Sequence, residues 1–222
     1  MDTENSASED QPAITTRQWN QAVSEVVDLY RAKGQLWIGR ELYSTGRQSE
    51  GTKHLRSAVT SVDPGDGNAA LHGEISDLAN QAAEGRSWTR MKATFQDLRR
   101  RMNHRVETLP AAIRTDPAFV TAVMSALTEQ AMQRYAAAVN GQTVADVSRY
   151  HDGRGLAYAG SVFLLRNRAA LDAESGDTYR SAWADYRRVL AAWPAVMPPD
   201  PPVMHPAELR SALGDVTAEL KP

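Results

Sequence analysis

Apolar residues recur at steps of three and four along almost the whole of this 222-residue chain, and this spacing limits what the chain can fold into. One buried face of an α-helix repeats at that period, whereas a strand with one buried face repeats at every second residue. No segment shows a period of two. The sequence therefore predicts an all-α fold, an irregular bundle of about eight or nine helices.

The first two predicted helices are separated by clear stop signals. Residues 17–33 form an amphipathic helix, which Gly34 either ends or only weakens, because the apolar pattern continues until a left-handed stop at Gly46. A second helix is expected over residues 48–61, before a turn rich in proline and glycine. We expect the two helices to fold back on each other at Gly46.

The middle of the chain carries its longest unbroken pattern. The apolar period holds over residues 119–139, which predicts the longest helix. A short helix is expected over residues 143–150, followed by a glycine-containing loop at residues 151–155. The next segment, residues 156–171, is the most apolar of the chain and is expected to be a buried helix.

The composition indicates one domain that follows a polar leader. Residues 1–15 contain almost no large apolar side chain, which is typical of a disordered leader or of the tether that remains when a signal peptide is removed. Residues 16–222 are long enough to bury a core without disulfides, and the chain has no cysteine. Prolines near residues 108–117 are expected to divide this domain into two helical layers.

Charge and hydropathy argue against a nucleic-acid partner and against a membrane-spanning segment. A net charge of -2 and a pI near 6.2 lack the basic excess with which proteins neutralise nucleic-acid phosphates. No apolar run approaches the roughly 18 to 20 residues of a membrane-spanning helix. We therefore expect neither a nucleic-acid partner nor a membrane-spanning segment, and we expect a protein, a small ligand or a metal ion as the partner.

The stretch over residues 34–64 resembles a tetratricopeptide hairpin. That pattern contains a Leu-Gly pair, an aromatic residue, a small residue, a bulky residue and a closing proline. The resemblance implies TPR-like antiparallel hairpins that present a groove to a protein partner. The corresponding residues are Ile38-Gly39, Tyr43 at one position beyond the aromatic slot, Gly51, Leu55 and Pro64.

A second resemblance concerns residues 135–141 and 147–153, which are similar to a helical pattern of bacterial exported proteins associated with iron uptake. The Gly-x-His-x-x-Glu signature of imelysin-type iron-uptake proteins is absent, because Glu74 follows His72 by two residues rather than three. Together with the polar leader, this resemblance implies a periplasmic or otherwise exported protein. A cytoplasmic location is the alternative.

Histidine and carboxylate residues of the first hairpin are the candidate metal ligands. His54 follows Glu50 by four residues, so both share one helix face and are able to hold one ion. Glu41, in the preceding helix, completes the candidate metal set. The alternative is that Glu50 and His54 form an ordinary pair on a surface helix.

The predicted loop at residues 151–155 carries the candidate ligand-binding residues, which are His151, Asp152, Arg154 and, in the following helix, Tyr158. Arg154 and the positive end of that helix would suit an anion. The alternative is a simple connection in which Asp152 caps a helix. If the protein has a site here, we expect Glu41, Glu50 and His54 to meet His151.

The sequence contains no catalytic or cofactor motif, so we expect no enzymatic activity and no cofactor other than a metal ion. The expected function is that of a soluble, non-enzymatic helical binding or scaffold protein of the bacterial cell envelope. The alternative is a periplasmic metal-binding accessory protein of an iron-type uptake system.

Overall fold

The structure is a computed structural model that describes residues 14–65 and 67–221, apart from the side chains of residues 174 and 175. This part of the chain forms ten α-helices and one short β-hairpin, which confirms the all-α prediction. The elements in order are α1 (Thr16–Ser44), α2 (Gln48–Thr60), α3 (Ala69–Ala83), α4 (Trp88–Glu107), α5 (Ala111–Arg114), α6 (Pro117–Ala138), β1 (Val139–Asn140), β2 (Thr143–Val144), α7 (Val147–Arg166), α8 (Arg168–Ser175), α9 (Thr178–Leu190) and α10 (Pro206–Glu219).

The predicted leader, residues 1–15, lies outside the described residues except for Ile14 and Thr15. Among the helices that are described, none combines the length and the apolar character that crossing a membrane requires. For the described residues, this agrees with the expectation from hydropathy.

Helix α1 is continuous for 29 residues and is the longest of the described helices. It begins with a capping box, in which the Thr15 hydroxyl accepts from the Gln18 backbone N–H at 3.2 Å and the Gln18 amide oxygen accepts from the Thr15 N–H at 2.9 Å. Gly34 lies inside the helix and does not end it. The prediction that residues 119–139 form the longest helix is therefore wrong, since α6 has 22 residues.

Helices α1 and α2 form the antiparallel hairpin that the sequence predicts at Gly46, which adopts a φ of 88°. Such a backbone conformation favours glycine because it has no Cβ. A Cβ added at Gly51 would lie 2.7 Å from the carbonyl oxygen of Gly39, so the two helix backbones are in direct contact. This close approach brings the polar side chains of the two helices within reach of each other.

Buried side chains form two large clusters that share α1. The second half of α1 packs with α2, α3 and α4, in a cluster whose last residue is Met102. The first half of α1 packs with α6, α7, α9 and α10, in a larger cluster that contains Ile113 and residues after it. Helix α1 is thus the element through which the two clusters are joined.

Helix α7 crosses α1 at a contact between two glycines. A Cβ added at Gly34 would lie 2.6 Å from the carbonyl oxygen of Gly155. The predicted short helix over residues 143–150 and the predicted loop at residues 151–155 are wrong, because residues 147–166 form one helix. The glycines there allow other helices to approach closely and do not turn the chain.

We predict that the crossing of α1 and α7 makes Gly34 intolerant of a methyl group. Gly34→Ala is expected to lower the free energy of unfolding by about 1 to 3 kcal/mol, because overpacking the contact outweighs the gain in helix propensity. Gly73→Ala in α3 is the control, since a Cβ there meets nothing within 4 Å. It should stabilise the protein by about 0.5 to 1 kcal/mol. Urea unfolding followed by circular dichroism measures both, and a Gly34→Ala protein as stable as the wild type would contradict the prediction.

Candidate functional site

Four polar side chains meet where α1, α2 and α7 come together. They are Gln35 of α1, His54 of α2, and His151 and Asp152 of α7. The exposed fraction is 8% for Gln35, 5% for His54 and 2% for His151. Because buried polar groups are costly unless they are hydrogen-bonded, the partners of each side chain determine where its protons lie.

The hydrogen bonds of Gln35 fix the tautomer of His54. The Asp152 carboxylate only accepts, so the amide nitrogen of Gln35 must be the atom 2.8 Å from Asp152 Oδ1. The amide oxygen of Gln35 then lies 2.7 Å from His54 Nδ1. Since this oxygen also only accepts, Nδ1 of His54 carries the proton, and Nε2 of the neutral ring carries a lone pair.

A backbone carbonyl fixes the tautomer of His151 in the same way. Its Nε2 lies 2.9 Å from the carbonyl oxygen of Val196, in the segment between α9 and α10. A carbonyl oxygen accepts hydrogen bonds and donates none, so Nε2 of His151 carries the proton. The lone pair of the neutral His151 ring is therefore on Nδ1.

The two nitrogens that carry lone pairs face each other. His54 Nε2 and His151 Nδ1 are 3.3 Å apart, and the ring centroids are 5.3 Å apart. With both rings neutral, no hydrogen lies between these nitrogens, so the contact is not a hydrogen bond. A cation between them, either a proton or a metal ion, would turn this repulsive contact into an attractive one.

Burial disfavours the proton as that cation. Burial and, to a smaller extent, the neighbouring His151 lower the pKa of His54 to about 4. The carboxylates of Asp152, 3.6 Å from Nδ1, and of Glu50 oppose this shift in part. Burial also lowers the pKa of His151, although the hydrogen bond to the Val196 carbonyl raises it in part. Both rings are therefore neutral near pH 7, the state in which imidazole binds metal ions.

A pocket of about 270 Å³ adjoins the two histidines and connects them with solvent. Helix α2 and the first turns of α7 form its walls. A small ligand or a hydrated ion can therefore reach the histidine pair. The lining residues are Glu50, Lys53, His54, Ser57, Val147, Ser148, His151 and Asp152.

The other predicted site residues form a separate ion pair. The Arg154 side chain, which is 8% exposed, donates to both carboxylate oxygens of Glu41, at 3.2 Å for Oε1. Its guanidinium also lies 4.7 Å from the centroid of the Tyr158 ring. Arg154 is inside α7, so the predicted anion site at a helix N-terminus after residues 151–155 is wrong.

The predicted metal set is only partly brought together. His54 meets His151, whereas Glu41 binds Arg154 and Glu50 pairs with Arg47 at 3.0 Å on the surface. Within residues 14–65 and 67–221, no group of three or more His, Cys, Asp or Glu side chains has an arrangement that would hold a metal ion. Of the predicted metal ligands, only His54 therefore lies beside another side chain that is able to bind a metal ion, that of His151.

Sequence reasoning missed Gln35 and Val196. Gln35 is a polar residue within the apolar pattern of α1, and its place on the buried face was an available signal. Val196 acts through its backbone carbonyl, which no side-chain pattern indicates. The pairing of His54 with His151 crosses 97 residues and depends on the packing of three helices.

Comparison of the chain with protein-family models, with curated proteins and with solved structures finds no match. The resemblances to tetratricopeptide hairpins and to iron-uptake proteins therefore gain no support from these comparisons. The function has to be argued from the geometry of the chain itself.

We predict that the Glu41–Arg154 pair contributes much more to stability than a surface pair does. Glu41→Gln is expected to lower the free energy of unfolding by about 2 to 4 kcal/mol, because it leaves the buried guanidinium without its counter-charge. Glu50→Gln is the control, since Glu50 and Arg47 have 41% and 42% exposed side chains, and it should cost less than about 1 kcal/mol. Urea unfolding with a chelator present tests both, and equal losses would contradict the prediction.

We predict that His54 makes the metal-free protein less stable in mild acid. Its pKa is about 4 in the folded protein and about 6.5 in the unfolded chain. At a pH between these two values, His54 is protonated in the unfolded chain but not in the folded protein. The free energy of unfolding therefore falls as the pH falls from about 6.5 toward about 4. From pH 7 to pH 4.5 the wild type should lose about 1 to 3 kcal/mol more than His54→Gln.

Urea unfolding at a series of pH values in the presence of a chelator measures this difference. His104→Gln is the control, because His104 lies on the surface of α4 with a 77% exposed side chain. It should keep the pH dependence of the wild type. A His54→Gln protein with the same pH dependence would show that His54 titrates alike in the folded and unfolded states.

Proposed function

We propose that this protein is a non-enzymatic helical binding protein whose ligand is a transition metal ion held by His54 Nε2 and His151 Nδ1. The proposal rests on one observation. The two ring nitrogens that carry lone pairs, His54 Nε2 and His151 Nδ1, face each other at a distance of 3.3 Å. Two imidazole nitrogens at about 2.0–2.1 Å from one zinc ion, at a tetrahedral angle, lie about 3.3 Å apart. The separation already suits two ligands of one ion.

The groups behind the two rings also suit a metal site. Metal-binding histidines usually donate their other N–H to a carbonyl or a carboxylate, which fixes the tautomer and orients the ring. Here His151 donates to the Val196 carbonyl, and His54 donates to Gln35, which in turn donates to Asp152. Both rings are thus held with their lone pairs toward the same place before an ion binds.

The remaining coordination positions open toward the pocket beside the histidines. Glu50 lines that pocket and precedes His54 by four residues on the same helix face, so it is the candidate third ligand. Its surface pair with Arg47 contributes at most about 1 kcal/mol and is easily given up. Water or a small ligand would complete the coordination, as at sites that keep an open position.

The ligand chemistry indicates which ions fit. Neutral imidazole suits zinc, copper, iron and nickel, whereas magnesium and calcium prefer oxygen ligands. Copper(II) is expected to bind most tightly in the order of divalent first-row ions. A role in the periplasm or in an uptake system stays a prediction from the polar leader and the resemblance to exported proteins.

The proposal is tested by isothermal titration of chelator-treated protein with zinc, copper(II) and nickel(II) chlorides. We expect one ion per chain. His54→Gln and His151→Gln should each weaken binding at least about a hundredfold, which exceeds the effect of altering a group behind a ligand. Glu50→Gln, which in the metal-free protein alters only the surface pair with Arg47, should weaken binding about tenfold because it removes the candidate third ligand.

His104→Gln controls for binding to an exposed histidine and should leave the affinity unchanged. Circular dichroism confirms that each variant is folded before titration. The proposal would be refuted if the wild type bound all three ions no more tightly than the variant that carries both His54→Gln and His151→Gln.

A further inference from the structure

A second pocket, of about 200 Å³, lies near the other end of α7, where α1, α4, α5 and α8 meet it. Its lining includes Tyr30, Asn103, Glu107, Arg114, Arg166 and Ala170. Arg166 follows His151 by fifteen residues in the same helix, so the two places are about 22 Å apart along its axis. The pocket shares no lining residue with the pocket beside the histidines.

The charged side chains of this pocket are mainly positive. Arg166 donates to Glu107 Oε1 at 2.6 Å, so these two charges are paired. The Nε of Arg114 is buried and has no hydrogen-bond partner among the described residues. The pocket therefore holds one guanidinium whose charge the neighbouring Glu107–Arg166 pair does not balance.

A buried lysine that contacts the lining residue Asn103 adds to this positive environment. Lys33 is 6% exposed and donates to Asn103 Oδ1 at 2.9 Å. Burial, together with the charges of Arg166 and Arg99, lowers the pKa of Lys33 to about 7. The repulsion among these cations would be relieved by an anion in the pocket.

Two neutral side chains supply further donors. Tyr30 is 1% exposed and lines the pocket, and its hydroxyl is able to donate one hydrogen bond. Burial raises the pKa of Tyr30 to about 12, so the hydroxyl keeps its proton near pH 7. Because the Oδ1 of Asn103 accepts from Lys33, the amide nitrogen of Asn103 remains available to donate.

The first turn of α8 contributes backbone donors. Ala169 and Ala170 belong to this turn and line the pocket. The first N–H groups of a helix have no partner within it, and the side chain of the cap residue Asn167 does not bond them here. Because α7 ends at the residue that caps α8, the negative end of its dipole opposes the positive end of α8, so the contribution of this turn is its N–H groups.

We infer that this pocket binds a soluble phosphate group, with Arg114 and Arg166 as charged ligands and with Tyr30, Asn103 and the first turn of α8 as neutral donors. Phosphate suits this set because its oxygens accept several hydrogen bonds at once, and arginine binds them through two N–H groups together. The phosphate site is independent of the proposed metal site. It would make the protein a binder of a phosphorylated small molecule or of phosphate itself.

Titration calorimetry with inorganic phosphate at constant ionic strength tests the inference. Wild-type protein should bind one phosphate per chain. Arg114→Gln should weaken binding about ten- to hundredfold, the effect of losing a hydrogen bond between charged groups. Tyr30→Phe, which keeps the buried ring, should weaken it about three- to tenfold through the loss of one neutral donor.

Arg180→Gln is the matched control, because Arg180 lies on the surface of α9 with a 79% exposed side chain. This variant should bind phosphate with the affinity of the wild type. His54→Gln should also bind phosphate normally, which separates this site from the metal site. Absence of phosphate binding at concentrations on the order of 10 mM, well above a useful affinity, or unchanged affinity in Arg114→Gln, would overturn the inference. Binding to vesicles that contain phosphatidic acid, without binding of soluble phosphate, would overturn it as well.

Discussion

The contact between Gly34 and Gly155 is the constraint on which the rest of the structure depends. Because neither residue has a side chain, α1 and α7 approach until their backbones touch. Gln35 is the neighbour of Gly34 in sequence, and at this short distance its amide reaches Asp152. The contact of Gly39 with Gly51 brings α2 onto the other side of α1 in the same way, and with it His54. Two glycine contacts therefore place four polar side chains in one buried cluster.

Within that cluster, the partners of the two histidines are complete except at the point where the rings meet. Buried polar groups in folded proteins are nearly always satisfied, so an exception indicates a function or a missing partner. Asp152 and the Val196 carbonyl each determine one tautomer, and the two choices leave lone pairs on both facing nitrogens. Burial lowers the pKa of both rings. A proton or a metal ion between the nitrogens would satisfy both lone pairs, but the lowered pKa values disfavour the proton, which is why we propose a metal ion.

Helix α7 has a proposed cation-binding site near one end and a proposed anion-binding site near the other. The proposed metal site of His54 and His151 lies near its N-terminus, and the proposed phosphate site with Arg114 and Arg166 lies near its C-terminus. The two places use different residues of α1 as well, Gln35 at one and Tyr30 at the other. Since α1 also joins the two hydrophobic clusters, the helix that links the two parts of the core helps to position both proposed sites.

The sequence by itself determined the all-α fold, the hairpin at Gly46 and the breaks at prolines, because helical periodicity, left-handed glycines and prolines act within a few residues of the chain. It also identified His54 and His151 as residues of interest. It left open whether Gly34 ends the first helix, and it misread residues 151–155 as a loop. Glycine weakens a helix locally, and only the packing of α1 against α7 shows that Gly34 and Gly155 serve a close contact. Tertiary structure alone decided that His54 faces His151, which tautomers they adopt and that Glu41 is bound to Arg154. These outcomes depend on hydrogen bonds and charges between helices that are distant in sequence, for which local pattern carries no information.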